Sequence, residues 1–172
     1  NIIEEYNNKT LEIPYSDVLF ENNNTHRTFL SYIWDIKKPL CVIFMLNPSS
    51  ATYNVDDRTT IILKRRLINN NYGGVFILNL YTFICGNSKT NIYKNNLLDN
   101  YDIVLQNILE IFQSNNLDII YAWGNKGNEK KIFKNKISKP LCFGKLKSGK
   151  PKHPNPRPPQ YYSEDTKLIP YR

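Results

Sequence analysis

Polar groups stand at the ends of apolar runs in this sequence. "CVIFML" stops at Asn47, followed by Pro48, Ser49 and Ser50. "VFILNLYT" carries Asn79 and Tyr81, "IIYAWGN" ends on Asn125, and "PLCFGKL" leads into a tail with His153 and Asn155. A carboxamide donates and accepts, so a pair of them can read a nucleobase edge and a single one can orient a water. A His can donate to an oxygen that gains negative charge. Ser49 and Ser50 belong to no recognised Ser–His signature, and neither a G-x-x-x-x-G-K-[ST] nor a G-x-G-x-x-G run cradles phosphates. Such a set suits cleavage of a bond whose leaving group is already good, and an N-glycosidic bond to a base is one. Asp56 and Asp57 follow Asn47 by nine and ten residues. Asp57 can act as a general base or balance an oxocarbenium charge, or it can cap a helix, the reading slightly preferred.

The runs that carry these groups alternate strand and helix. "LCVIFML" is a short continuous apolar stretch of the kind a buried parallel strand needs. "DDRTTIILKRRLINNN" reads as a helix with Asp56 or Asp57 as N-cap, broken by Gly73-Gly74. "VFILNLY" is a second strand. "DNYDIVLQNILEIFQSNN" is a helix with its stripe at Ile103, Val104, Ile108, Ile111 and Phe112. "LDIIYAWG", "NEKKIFKNK" and "PLCFGKL" complete the pattern as strand, short helix and fourth strand. The expected architecture is α/β, a three-layer α/β/α domain around a mainly parallel four-stranded sheet. The chain of 172 residues is expected to form one domain. Residues 1–38 would be an N-terminal extension or edge strand, 39–146 the α/β core, and 147–172 a Pro-rich loop and tail. In an open parallel sheet, ligands bind beyond the carboxyl ends of the strands, where the polar groups sit.

Lys and Arg number 23 against 15 Asp and Glu, a net charge of +8. This suits a polyanionic partner, nucleic acid or a nucleotide. Three dispersed cysteines and two histidines offer no zinc spacing, so neither metal nor cofactor is expected. Cys41 and Cys142 read as small core residues. No apolar run approaches the roughly 18 residues of a membrane span. The N-terminal segment does not read as a secretory signal, so a cytoplasmic protein with reduced thiols is the expectation.

Four segments in chain order resemble motifs of the uracil-DNA glycosylase superfamily. They are "LNPS" at 46–49, "VFILNLYT", "YAWGNKG" and "HPNPRP". The resemblance covers roughly residues 40–160 and implies that superfamily's fold. "MLNPS", the following "DD", "YGG" and the terminal "HP" also resemble a bacterial and viral family of unknown function. By the first resemblance Asn47 would position the attacking water, Asn79 would read the base, and His153 would stabilise the departing base. Tyr53, Tyr81 or Phe83 would stack on a flipped base, with Asn125 beside them. Ser49, Lys152, Asn155 and Arg157 would contact DNA. Met45 and Ser49 depart from the mismatch-specific branch, which has Gly at both positions, and Arg157 stands where an apolar wedge is usual. The implied activity is excision of a damaged or modified base from DNA. The alternative is a nucleotide or nucleotide-signal binding protein without chemistry, since an amide at position 47 activates water weakly. Hydrolysis of free nucleosides or nucleotides is a third reading.

Overall fold

The computed structural model describes residues 1–49, 57–85 and 91–172. Among them the chain forms α1 (Ile2–Asn7), β1 (Tyr15–Glu21), β2 (His26–Ile33), β3 (Leu40–Met45), α2 (Arg58–Asn69) and β4 (Gly74–Asn79). α3 (Ile92–Asn95), α4 (Tyr101–Ser114), β5 (Asp118–Tyr121), α5 (Lys131–Lys136), β6 (Leu141–Cys142) and β7 (Ile169–Pro170) follow. The class is α/β, as the alternating pattern predicts.

The sheet has seven described strands rather than four, in the order β1-β2-β4-β3-β5-β6-β7. Its centre is the expected set: β4, β3, β5 and β6 run parallel. The additions are antiparallel. β2 pairs with β4 and β1 with β2 on one side, and β7 pairs with β6 on the other. The segment 1–38, expected as an N-terminal extension or edge strand, contributes two strands, and the second of them, β2, is not at the edge. It lies inside the sheet instead, covered on its outer side by the hairpin partner β1. β2 is buried on both faces along nearly its whole length.

Strand order decides where the helices go. The β3-to-β4 connection carries α2 towards one edge, while the β4-to-β5 and β5-to-β6 connections carry α4 and α5 the other way. Right-handed crossovers in opposite directions put their helices on opposite faces. Alternate side chains along each strand serve the two layers. Val42, Phe44, Phe76, Leu78 and Tyr121 pack with α4 and α5. Cys41, Ile43, Val75, Ile77 and Ile120 pack with Leu63 and Leu67 of α2. Gly74 lets the strands close up: a Cβ there would lie 2.8 Å from the Tyr32 carbonyl oxygen. Cys41 and Cys142 are buried in this core as expected.

The stripe expected on α4 holds at Ile108 and Phe112 but not at Ile103, Val104 and Ile111. Its buried residues are Tyr101, Leu105, Leu109 and Phe112, while Ile103 and Ile111 face outward. Tyr101 anchors the true face by donating from its hydroxyl to the Asn79 carbonyl at 2.7 Å. Buried Tyr outranks exposed Ile here because the ring fills the layer and its hydroxyl finds a partner.

Candidate functional site

The chain leaves β3 towards β4 but leaves the neighbouring β5 towards β6, in the opposite direction, so a crevice opens beyond the carboxyl ends of these two strands. A cavity of about 550 Å³ lies there. It is walled by the exits of β3 and β5, the first turn of α2, and the His–Pro tail. Of the residues singled out in the sequence, Asn47, Ser49, Asp57, Asn125, His153, Asn155 and Arg157 line it.

Asn47 is held by its own amide. Nδ2 donates to the Cys85 carbonyl at 2.8 Å and to the Pro48 carbonyl at 3.1 Å. Both donors are committed, so Oδ1 is the atom that can accept from a water. His153 is fixed in the opposite sense. Its Nδ1 accepts the Asn155 backbone N–H at 3.0 Å, which places the ring proton on Nε2. Burial pushes the imidazole below its ordinary value against the pull of the Asp57 carboxylate, favouring the neutral ring. A neutral Nε2–H remains a donor.

Asp57 is the N-cap of α2, with Oδ1 accepting the Thr60 N–H at 2.8 Å. Its Oδ2 accepts from the Ser49 hydroxyl. The capping reading therefore accounts for one oxygen, and Ser49 for the other. Ser49 is thus a partner of the helix cap as well as part of the cavity wall.

Four expected residues lie elsewhere. Asn79 is at the carboxyl end of β4, in register with Met45, but it is buried away from the cavity walls, and among the described residues its Oδ1 has no hydrogen-bond partner. Tyr81 lines a separate crevice of about 330 Å³ with Leu98, Tyr101 and Lys130, and its ring packs on Tyr93. Lys152 turns away from the cavity, with its ammonium 5.0 Å from the centre of the Tyr162 ring. Tyr53 and Asp56 lie outside the described residues. Phe83 sets its ring edge-on to His26 at 5.5 Å.

Other contributors were not singled out. Arg27, only 2% exposed, forms part of the cavity wall; burial pushes its guanidinium below its ordinary value, and the Asp57 carboxylate opposes this only in part. Arg66 lies on α2, where a basic side chain ordinarily faces solvent. It is buried, donating to the carbonyls of Pro154 at 2.8 Å, Ser163 at 2.6 Å and Tyr162 at 3.1 Å. Its guanidinium lies 3.6 Å from the Tyr162 ring centre. The signal was present: Arg66 falls beside Leu63 and Leu67 on the apolar face of α2, whereas Arg65 points outward. Tyr162 adds a bond from its hydroxyl to the His153 carbonyl at 2.8 Å. Arg66 and Tyr162 thus tie the segment carrying His153 to α2.

Among the described residues no cluster of His, Cys, Asp or Glu can hold a metal ion, and no helix is long and apolar enough to cross a membrane. A family model described as "Protein of unknown function (DUF1643)" matches residues 27–155, most of the chain. No curated protein and no solved structure matches it.

Proposed function

The chain belongs to the DUF1643 family, and we propose that its cavity hydrolyses the N-glycosidic bond of a damaged or modified base in DNA. The observation that carries this reading is the pairing of opposite roles around one cavity: an amide acceptor on Asn47 and a neutral imidazole donor on His153. A water accepted by Asn47 Oδ1 attacks the anomeric carbon. The new C–O bond forms as the C–N bond breaks, and its electron pair leaves with the base. His153 Nε2–H donates to the charge that gathers on the departing base. The water gives its proton to solvent, and the base takes one up from solvent. Asn125 and Asn155, which line the cavity, supply the amides for the base edge in place of Asn79.

A second reading is binding of a nucleotide without chemistry. It is favoured by Asp57, whose two oxygens are taken by the α2 cap and by Ser49, leaving Asn47 to orient water without this carboxylate as base. The deciding experiment is incubation of the protein with duplexes carrying a panel of modified bases, followed by detection of abasic sites. Abasic product from at least one base supports hydrolysis. Binding with no product across the panel supports the second reading.

A further inference from the structure

Tyr161 is an aromatic ring on the cavity wall that is 65% exposed. Exposed single apolar groups are ordinary, so its surroundings decide its meaning. The chain on either side of it is pinned. Gln160 donates its backbone N–H to the Arg157 carbonyl at 3.0 Å, closing a turn. Tyr162, the next residue, is half-buried, stacked under Arg66 and hydrogen-bonded to the His153 carbonyl. With Tyr162 locked inward, Tyr161 is presented outward from a fixed backbone. Arg157 and Gln160 line the same wall, and Arg58 lines the wall formed by α2. Arg58 and Arg157 are exposed, and neither forms an ion pair among the described residues.

An outward aromatic beside exposed guanidiniums matches the chemistry of a nucleic-acid strand: bases stack on the ring while cations track the phosphates. We infer that Tyr161, with Arg157 and Arg58, forms a second nucleotide subsite at the cavity mouth, which stacks the base next to the one held inside. This rests on the proposed function, because it assumes a nucleobase in the cavity. It adds that the ligand is a strand of at least two nucleotides rather than a free mononucleotide, and it assigns stacking to a residue of the tail. The strand can be single or one strand of an opened duplex, since both offer the same ring and phosphates.

The test measures binding of a deoxymononucleotide, a fluorescein-labelled four-nucleotide single strand and a labelled duplex to the whole chain and to Tyr161→Ala and Tyr161→Phe. The expected result is that Tyr161→Ala weakens the single strand by about 5- to 150-fold. Tyr161→Phe stays within a few-fold of wild type, and the mononucleotide binds equally to all three. An effect on the single strand but not the duplex assigns the subsite to unpaired strands, and an effect on both to either source. Unchanged affinity of Tyr161→Ala for both strands overturns the subsite while leaving the proposed function standing. Equal losses for mononucleotide and strands also overturn it, because the ring would then act inside the cavity. If abasic product is absent but strands bind through Tyr161, the proposed chemistry fails and the subsite survives. If the wild-type chain binds none of the three probes, both fail.

Discussion

In the proposed hydrolysis Asn47 has a catalytic role beside its structural one, and the two separate experimentally. Its Nδ2 bridges two backbone carbonyls, and its Oδ1 is assigned to the water. Asn47→Ala should therefore cost about 1–2 kcal/mol of stability, read by urea unfolding, because the Cys85 carbonyl loses a donor. Base release should fall by on the order of a hundredfold or more, since the group acts as charge develops. Activity equal to wild type would remove Asn47 from the mechanism. The two histidines give a stability signature. Burial lowers both His26 and His153 from the ordinary value of 6.5. As pH falls through that value the unfolded chain takes up protons that the folded chain resists, so folding weakens on acidification below about 6.5 and levels off below the folded values. Urea midpoints between pH 7.5 and 5 should show this fall, and a His26→Asn, His153→Asn double variant should flatten it. A slope unchanged in the double variant would place the proton uptake elsewhere. These roles were partly legible in the sequence. An apolar run that ends on an amide marks a strand end, which is why Asn47 could be singled out, but it does not say whether that amide is open, and the same pattern at Asn79 yields a buried one. Arg27 could not be singled out, because a guanidinium in a strand is read as exposed until the sheet is seen to bury it.

The element that sets the His153 geometry is the tail, and its anchor is Arg66 on α2. Three carbonyls, from Pro154, Tyr162 and Ser163, converge on one guanidinium. Lys carries a single ammonium on a flexible stem and cannot present that planar fork. Arg66→Ala should destabilise the fold by on the order of 3 kcal/mol, because buried carbonyls lose charged donors. Arg66→Lys should recover little of it. Limited proteolysis should show new cleavage between residues 155 and 168 in both variants, and full protection in Arg66→Lys would contradict the clamp. Asn70 reinforces the same strap, giving Nδ2 to the Thr166 carbonyl at 3.0 Å and accepting the Leu168 N–H at 2.9 Å. The central elements were legible because continuous apolar runs and a capped helix have strong periodicity. The tail was not, since its order comes from side chains 88 to 98 residues away rather than from local pattern. The α4 stripe was legible only in part, at Ile108 and Phe112, for a related reason. Ile103 and Ile111 suit an apolar face by type, but the sheet takes the face that buries Tyr101.

At the scale of the whole molecule, the sheet order and the charge point to one edge. The strand order β4-β3-β5-β6 places the crevice beyond β3, and α2 and the tail bring cations to its mouth. The net charge of +8 alone does not say which cations meet a polyanion. The fold does distinguish them. Lys152, expected from the sequence to touch DNA, has its ammonium over the Tyr162 ring, and its backbone N–H is bonded to the Gly144 carbonyl at 2.9 Å. Arg58 and Arg157 are exposed at the cavity. Each phosphate contact releases condensed counterions, so the logarithm of affinity falls with the logarithm of salt by roughly 0.9 per contact on duplex DNA. Measured from 50 to 200 mM salt on one duplex, an Arg58→Gln, Arg157→Gln double variant should lower that slope by about 2. Lys152→Gln should leave the slope as in wild type, and any loss of affinity should be uniform across salt, because it would arise from altered packing beside His153. The reverse pattern, a slope that responds to Lys152 and not to the two arginines, would mean that the strand crosses the face of the tail remote from the cavity. A base extruded from that strand could not reach Asn47.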